Sequence, residues 1–181
     1  MAFVTPVSVL YARAASVYRT LPGCDVFDLV RDARTCETSN PVVAHPPCRA
    51  WGKLKHFAKP RIDERELAIH DVRMVRQCGG VLEHPAHSGL WSASNLPSPG
   101  VGMDDEGGWT LPIDQFWFGH RAKKATWLYV VGTGPGSLPA FPYRLSSYER
   151  TVDRMCSAER ERTPLQLAQF LVQVARQAVR A

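Results

Sequence analysis

A short apolar run, Val42, Val43 and Ala44, ends abruptly at Pro46-Pro47 and delivers a cysteine, Cys48. The run reads as a buried strand. Proline fixes its own φ and pushes the preceding residue toward extended backbone, so the double proline makes a stiff, defined strand exit. A side chain placed there is held at the carboxyl end of a strand, where open α/β sheets bind their ligands. That position suits a nucleophile; inert packing in a rigid turn is the other common fate of such a cysteine.

Around this strand the pattern alternates. Val7 to Tyr11 predicts a first strand, Ala14 to Leu21 a helical turn or two broken at Pro22-Gly23, and Asp25 to Leu29 a second strand. Asp63 to Cys78 spaces Leu67, Ile69, Val72 and Val75 among charges, which predicts an amphipathic helix ended by Gly79-Gly80. Val81-Leu82-Glu83 predicts another buried strand. Trp109 to Phe118 and Ala125 to Val131 predict a strand pair, joined by the basic linker Gly119 to Lys124. A last helix is expected with Thr163 as its cap, Pro164 at its first position, and Leu165, Leu167, Ala168, Leu171, Val172 and Ala175 on its apolar face. Such alternation predicts a single α/β domain over 1–181 with a mixed, mostly parallel sheet flanked by helices.

With 181 residues, 45% hydrophobic and 22% charged, the chain falls in the globular class and outside the disordered one. No apolar stretch approaches a membrane span, and Met1 to Leu10 lacks the basic start and apolar core of a secretory signal. Five cysteines, an odd number with no Cys-x-x-Cys pair, argue against a disulfide framework and for a reducing cytoplasm. A net charge of +5 points, weakly, to a polyanionic partner.

Four features then fall in order: Pro46-Pro47-Cys48 after one strand, Glu83-His84-Pro85 after the next, the basic stretch Gly119 to Thr126 between two later strands, and the Thr163-Pro164 helix start. This order resembles the cytosine-5 DNA methyltransferases. The resemblance implies a Rossmann-like fold of methyltransferase type and a DNA partner. It makes Cys48 the thiolate that attacks a pyrimidine ring and Glu83 the acid that contacts the ring nitrogen and exocyclic amine. Lys123 and Lys124, with Arg121, stand where the family has an arginine-rich support element. S-adenosylmethionine is the implied cofactor, near Tyr11, with Asp28 or Asp32 on its ribose. The chain departs from the family in three places. Tyr11 to Ser16 has no glycine where the family has a Phe-x-Gly-x-Gly loop, His84 replaces an asparagine, and the chain after the last strand is too short for a target-recognition domain. A compact chain of this outline suits a phage or mobile-element product.

Other readings of the same residues stay open. His45, Cys48, His84 and His87 offer four ligands at two strand ends, a mixture tetrahedral zinc accepts. A zinc base-deaminase is excluded, because no Pro-Cys-x-x-Cys follows. Arg49, Trp51, Lys53, Lys55, His56, Phe57, Lys59 and Arg61 interleave bases with aromatics, as in a surface that holds phosphates and stacks on a base. A non-catalytic nucleic-acid-binding protein would keep that surface without turnover. The aromatics of the late strand pair read as packing, and Asp104-Asp105-Glu106 reads as a solvated loop. Glu161 or Arg162 is expected near the cleft.

Overall fold

A computed structural model describes residues 4–52, 55–144, 146–149 and 151–178. Six strands form one sheet: β1 (Val7–Leu10), β2 (Cys24–Val26), β3 (Val42–Ala44), β4 (Gly80–Pro85), β5 (Trp109–Asp114) and β6 (Ala125–Val131). Their order is β2-β1-β3-β4-β6-β5. Two longer helices, α1 (Glu64–Cys78) and α4 (Leu165–Arg176), accompany the short α2 (Gly89–Ala93) and α3 (Ser157–Arg160).

The sheet is mixed rather than mostly parallel. β1 runs parallel to β2 and β3, and β3 to β4, but β6 runs antiparallel to both β4 and β5. Connection length explains the correction. The link 115–124 between β5 and β6 is too short for a parallel crossover and can only form a hairpin. That hairpin then adds to β4 along the whole of Gly80–Pro85.

Alternation along the strands sorts the core into two layers. Val7, Val9, Val43, Val81, Leu128 and Val130 join Leu167, Ala168, Leu171 and Val174 of α4 on one face. Leu10, Val42, Ala44, Leu82, Tyr129 and Val131 join Ala68, Val72 and Val75 of α1 on the other. Each fully buried aliphatic side chain contributes about 1.5–3 kcal/mol before entropy is counted. Gly80 fixes how closely the layers meet. Its φ is 117°, and a Cβ there would collide with the backbone of Val42, so β3 and β4 can lie side by side only with glycine at this position.

Local differences from the sequence pattern have local causes. The expected helix over 14–21 shrinks to a 3-10 turn, Val17–Thr20, capped by Ser16. α4 starts one residue late, with Pro164 rather than Thr163 in the extended cap position. Leu165 is then 48% exposed, and Phe170 joins the core. No helix among the described residues is long and apolar enough to cross a membrane.

Candidate active site

The carboxyl ends of β3 and β4 lie side by side, and the β5–β6 hairpin brings its connecting link to the same edge. Glu83, on β4, is the centre of what gathers there. Its Oε2 lies 3.0 Å from His45 Nδ1, and its Oε1 accepts from Gln115 Nε2 at 2.7 Å. His45 follows β3 directly, and its Nε2 lies 2.8 Å from the Tyr18 hydroxyl. Gln115 also donates to Thr126 Oγ1 at 3.1 Å, while its own Oε1 is buried with no partner among the described residues. The result is a continuous chain, Tyr18–His45–Glu83–Gln115–Thr126, that joins two 3-10 turns, the end of β3, and strands β4 and β6.

Electrostatics set the resting charge. Burial alone would raise the pKa of Glu83, but the His45 hydrogen bond, then Lys124, then the imidazoles of His45 and His84 outweigh it and bring it to about 2. Glu83 therefore stands as a carboxylate. Cys48 is exposed at the rim. Neighbouring strand ends nevertheless desolvate its thiol and push the pKa up; Glu83 and Glu161 add to this, while Lys124 opposes it. Glu83, Lys124 and Glu161 thus all act on Cys48, and Lys124 acts on Glu83 as well.

Lys123 and Lys124 part company here. Successive residues of an extended segment face opposite ways. Lys124 turns toward Glu83 and donates through Nζ to the Arg160 carbonyl at 2.9 Å, whereas Lys123 is exposed. Arg121 also faces outward, bound to Glu149 at 2.8 Å and Glu159 at 3.3 Å. Glu161 meets Arg13 at 2.8 Å, which ties the segment beyond α3 to the loop after β1.

The proposed zinc ligands are divided among separate environments. His45 belongs to the Glu83 chain. His84 is buried, lies 2.7 Å from Ser88 Oγ through Nδ1, and is held neutral because burial pulls its pKa down to about 4. His87 packs on Trp127 with ring centres 4.5 Å apart. Among the described residues, no three His, Cys, Asp or Glu side chains are disposed to hold a metal ion.

Tyr11 and Asp28 do not fit S-adenosylmethionine. Tyr11 has φ 59°, a bulky residue where the resembled family has a glycine loop, and a buried hydroxyl with no partner among the described residues. The Asp28 carboxylate already accepts from Arg19 at 2.5 Å and from the Val30 and Arg31 amides at 2.9 and 3.0 Å, which occupies it as a turn acceptor. Asp32 does the same for Arg34.

The basic-aromatic stretch splits likewise. Trp51 is core rather than a base-stacking surface: it is 7% exposed, packs in the α1 layer, and has the Arg65 guanidinium 5.1 Å from its ring centre. Arg49 is spent on buried Glu64, and Arg61 pairs with Asp63 at 2.7 Å. Lys53 lies outside the described residues. Lys55, His56, Phe57 and Lys59 do face solvent, with Phe57 87% exposed. Asp104 is no solvated acid: it accepts from Tyr129, Arg76 and the Gly108 amide at 2.7, 3.0 and 2.8 Å.

Sequence reading missed two members of the site, Tyr18 and Gln115. A polar Asp114-Gln115 pair inside an aromatic strand was the one available signal for the second. Family models, curated proteins and solved structures give no match to this chain.

Proposed function

We propose that this chain is a compact Rossmann-like relative of the cytosine-5 DNA methyltransferases that adds Cys48 to C6 of a pyrimidine in DNA. One observation carries the reading. Cys48 and Glu83 lie at the carboxyl ends of adjacent strands with Lys124, just before β6, acting on both, and the carboxylate is oriented from both sides by His45 and Gln115.

Attack runs as follows. The Cys48 thiol loses its proton to water at the exposed rim, and its sulfur bonds to C6. Electrons move into the ring, N3 takes up a proton, and C5 becomes nucleophilic. The Glu83 carboxylate accepts a hydrogen bond from the exocyclic amine, and the Lys124 ammonium offsets the charge pushed into the ring. C5 then takes a proton from water and releases its original hydrogen, the sulfur departs, and N3 gives back its proton. No group donor is required for this exchange, in keeping with the poor fit of Tyr11 and Asp28 to S-adenosylmethionine. The free cysteines support a reducing compartment.

The test is release of tritium into water from DNA labelled at cytosine C5, without any added cofactor. Release well above a no-protein control is expected. DNA binding with no release, with and without S-adenosylmethionine, would overturn the enzymatic reading in favour of a non-catalytic binding protein. The raised thiol pKa is the one observation that favours that second reading.

The exposed Lys55–Lys59 loop supports the nucleic-acid part. Replacing Lys55 and Lys59 together with glutamate is expected to weaken DNA binding about tenfold or more. It should also lower the slope of log affinity against log salt by about 2, since two phosphate contacts are lost. Unchanged affinity and slope would remove the loop from the interface.

A further inference from the structure

We infer that His45, clamped between Tyr18 and Glu83, holds the proton that ring nitrogen N3 takes up during attack, and delivers it through the Glu83 carboxylate. The inference rests on the pyrimidine reading above and adds to it a residue that sequence reasoning treats only as a metal ligand.

The geometry is directional. His45 has both ring nitrogens engaged, Nδ1 with Glu83 at 3.0 Å and Nε2 with the Tyr18 hydroxyl at 2.8 Å, and its side chain is 11% exposed. Tyr18 is 1% exposed, and burial holds its phenol protonated, its pKa pushed well above the usual value. A hydroxyl can accept as well as donate, so it can take a hydrogen bond from Nε2–H while Nδ1–H points at Glu83. A protonated imidazole therefore has a fixed partner at each end. Glu83 cannot keep this proton itself at neutral pH, because its pKa is held near 2. In the transfer the Nδ1–H bond breaks as a Glu83 O–H bond forms, and that bond breaks as N3–H forms. The imidazole is left neutral with Nε2–H still on Tyr18, and the proton returns by the same route when the sulfur leaves.

Several charged or titratable groups face this chain. Glu83 faces His45 from β4, and Tyr18 from the 3-10 turn. Lys124 and His84 act on Glu83, Cys24 acts on Tyr18 from β2, and Cys48 shares the loop of His45.

The test compares tritium release by the wild type with release by His45→Gln. With the relay broken, N3 must take its proton from solvent, and release is expected to fall about 100-fold. A small buffer acid should restore part of that loss in proportion to its concentration, and leave the wild type unchanged. A His45→Gln protein with the wild-type rate, or one whose loss no buffer acid relieves, would overturn the inference.

A second measurement is independent of turnover. The NMR signal of the His45 ring Nδ1–H in Cys48→Ser protein should lie downfield because of its hydrogen bond to Glu83, and should move when Glu83→Gln is added. An unmoved signal would mean that the pair is not coupled and would overturn the relay even if the enzyme is active. Absence of release in the wild type, with the NMR coupling intact, would instead sink the pyrimidine reading and leave His45 as a structural clamp on Glu83.

Discussion

Cys48→Ser is expected to abolish tritium release, by about 1,000-fold or more, while leaving stability within about 0.5 kcal/mol. Nothing in the site can replace the sulfur. A serine hydroxyl is far less acidic than a thiol, and the Glu83 carboxylate is already tied to His45 and Gln115. The stability half of the expectation follows from position: Cys48 is exposed on a loop, so an oxygen at its Sγ position costs little packing. Release assays and thermal melts on the two proteins decide it. Retention of a tenth of the activity would show that Cys48 is not the nucleophile, and a large loss of melting temperature would make the kinetic loss uninformative. Cys156 is also exposed and serves as the control: Cys156→Ser should leave release unchanged.

How much of this was legible in the chain depends on the distance over which each feature is encoded. The Val42–Ala44 strand, its proline stop and the α1 helix are local patterns, and all three appear where the residues predict them. Cys48 and Glu83 also share one edge, because β3 and β4 are neighbours. Strand direction was not legible. Alternating elements suggest parallel pairing, and only the short 115–124 link reveals a hairpin that inserts β6 next to β4. The Glu83 chain was hidden for a similar reason. Its hydrogen bonds join residues 27, 38 and 32 positions apart, and no spacing rule links Tyr18, His45, Glu83 and Gln115. Charge and aromatic content misled at Trp51, whose neighbours look like a binding surface while the ring itself fills a core position against Gly89. Lys123 and Lys124 are alike as residue types, and only the pleat separates them.

Asp71→Asn is expected to make the protein more stable at alkaline pH by up to about 4 kcal/mol, and to remove a pH dependence that the wild type carries. Asp71 is fully buried in α1, and neither carboxylate oxygen has a good hydrogen bond; His70 Nδ1 stands 3.5 Å from Oδ1. Burial raises its pKa from 3.8 to about 7, with His70 opposing. The sign follows from that direction. A carboxyl that holds its proton more tightly when folded favours the folded state at low pH, and this support is lost as pH rises from about 4 to about 7. Moving a carboxyl by this much on folding corresponds to about 4 kcal/mol. Other groups act in the opposite sense, the lowered carboxyls of Asp28, Asp32 and Asp104 among them. His84, depressed from 6.5 to about 4, loses its contribution as pH falls through that interval, and Glu83 does so between 4.5 and about 2. The wild-type curve alone is therefore a composite. The difference between wild type and Asp71→Asn reports Asp71 together with its His70 contact, because the distant groups titrate alike in both proteins. Urea unfolding at several pH values between 5 and 8.5 measures it. The difference should grow with pH toward a plateau above about 7. Any fixed cost of placing the amide's two N–H donors in the buried site shifts the whole curve without changing its slope. A difference that stays constant over this range would mean that Asp71 is not forced to ionise inside the folded protein.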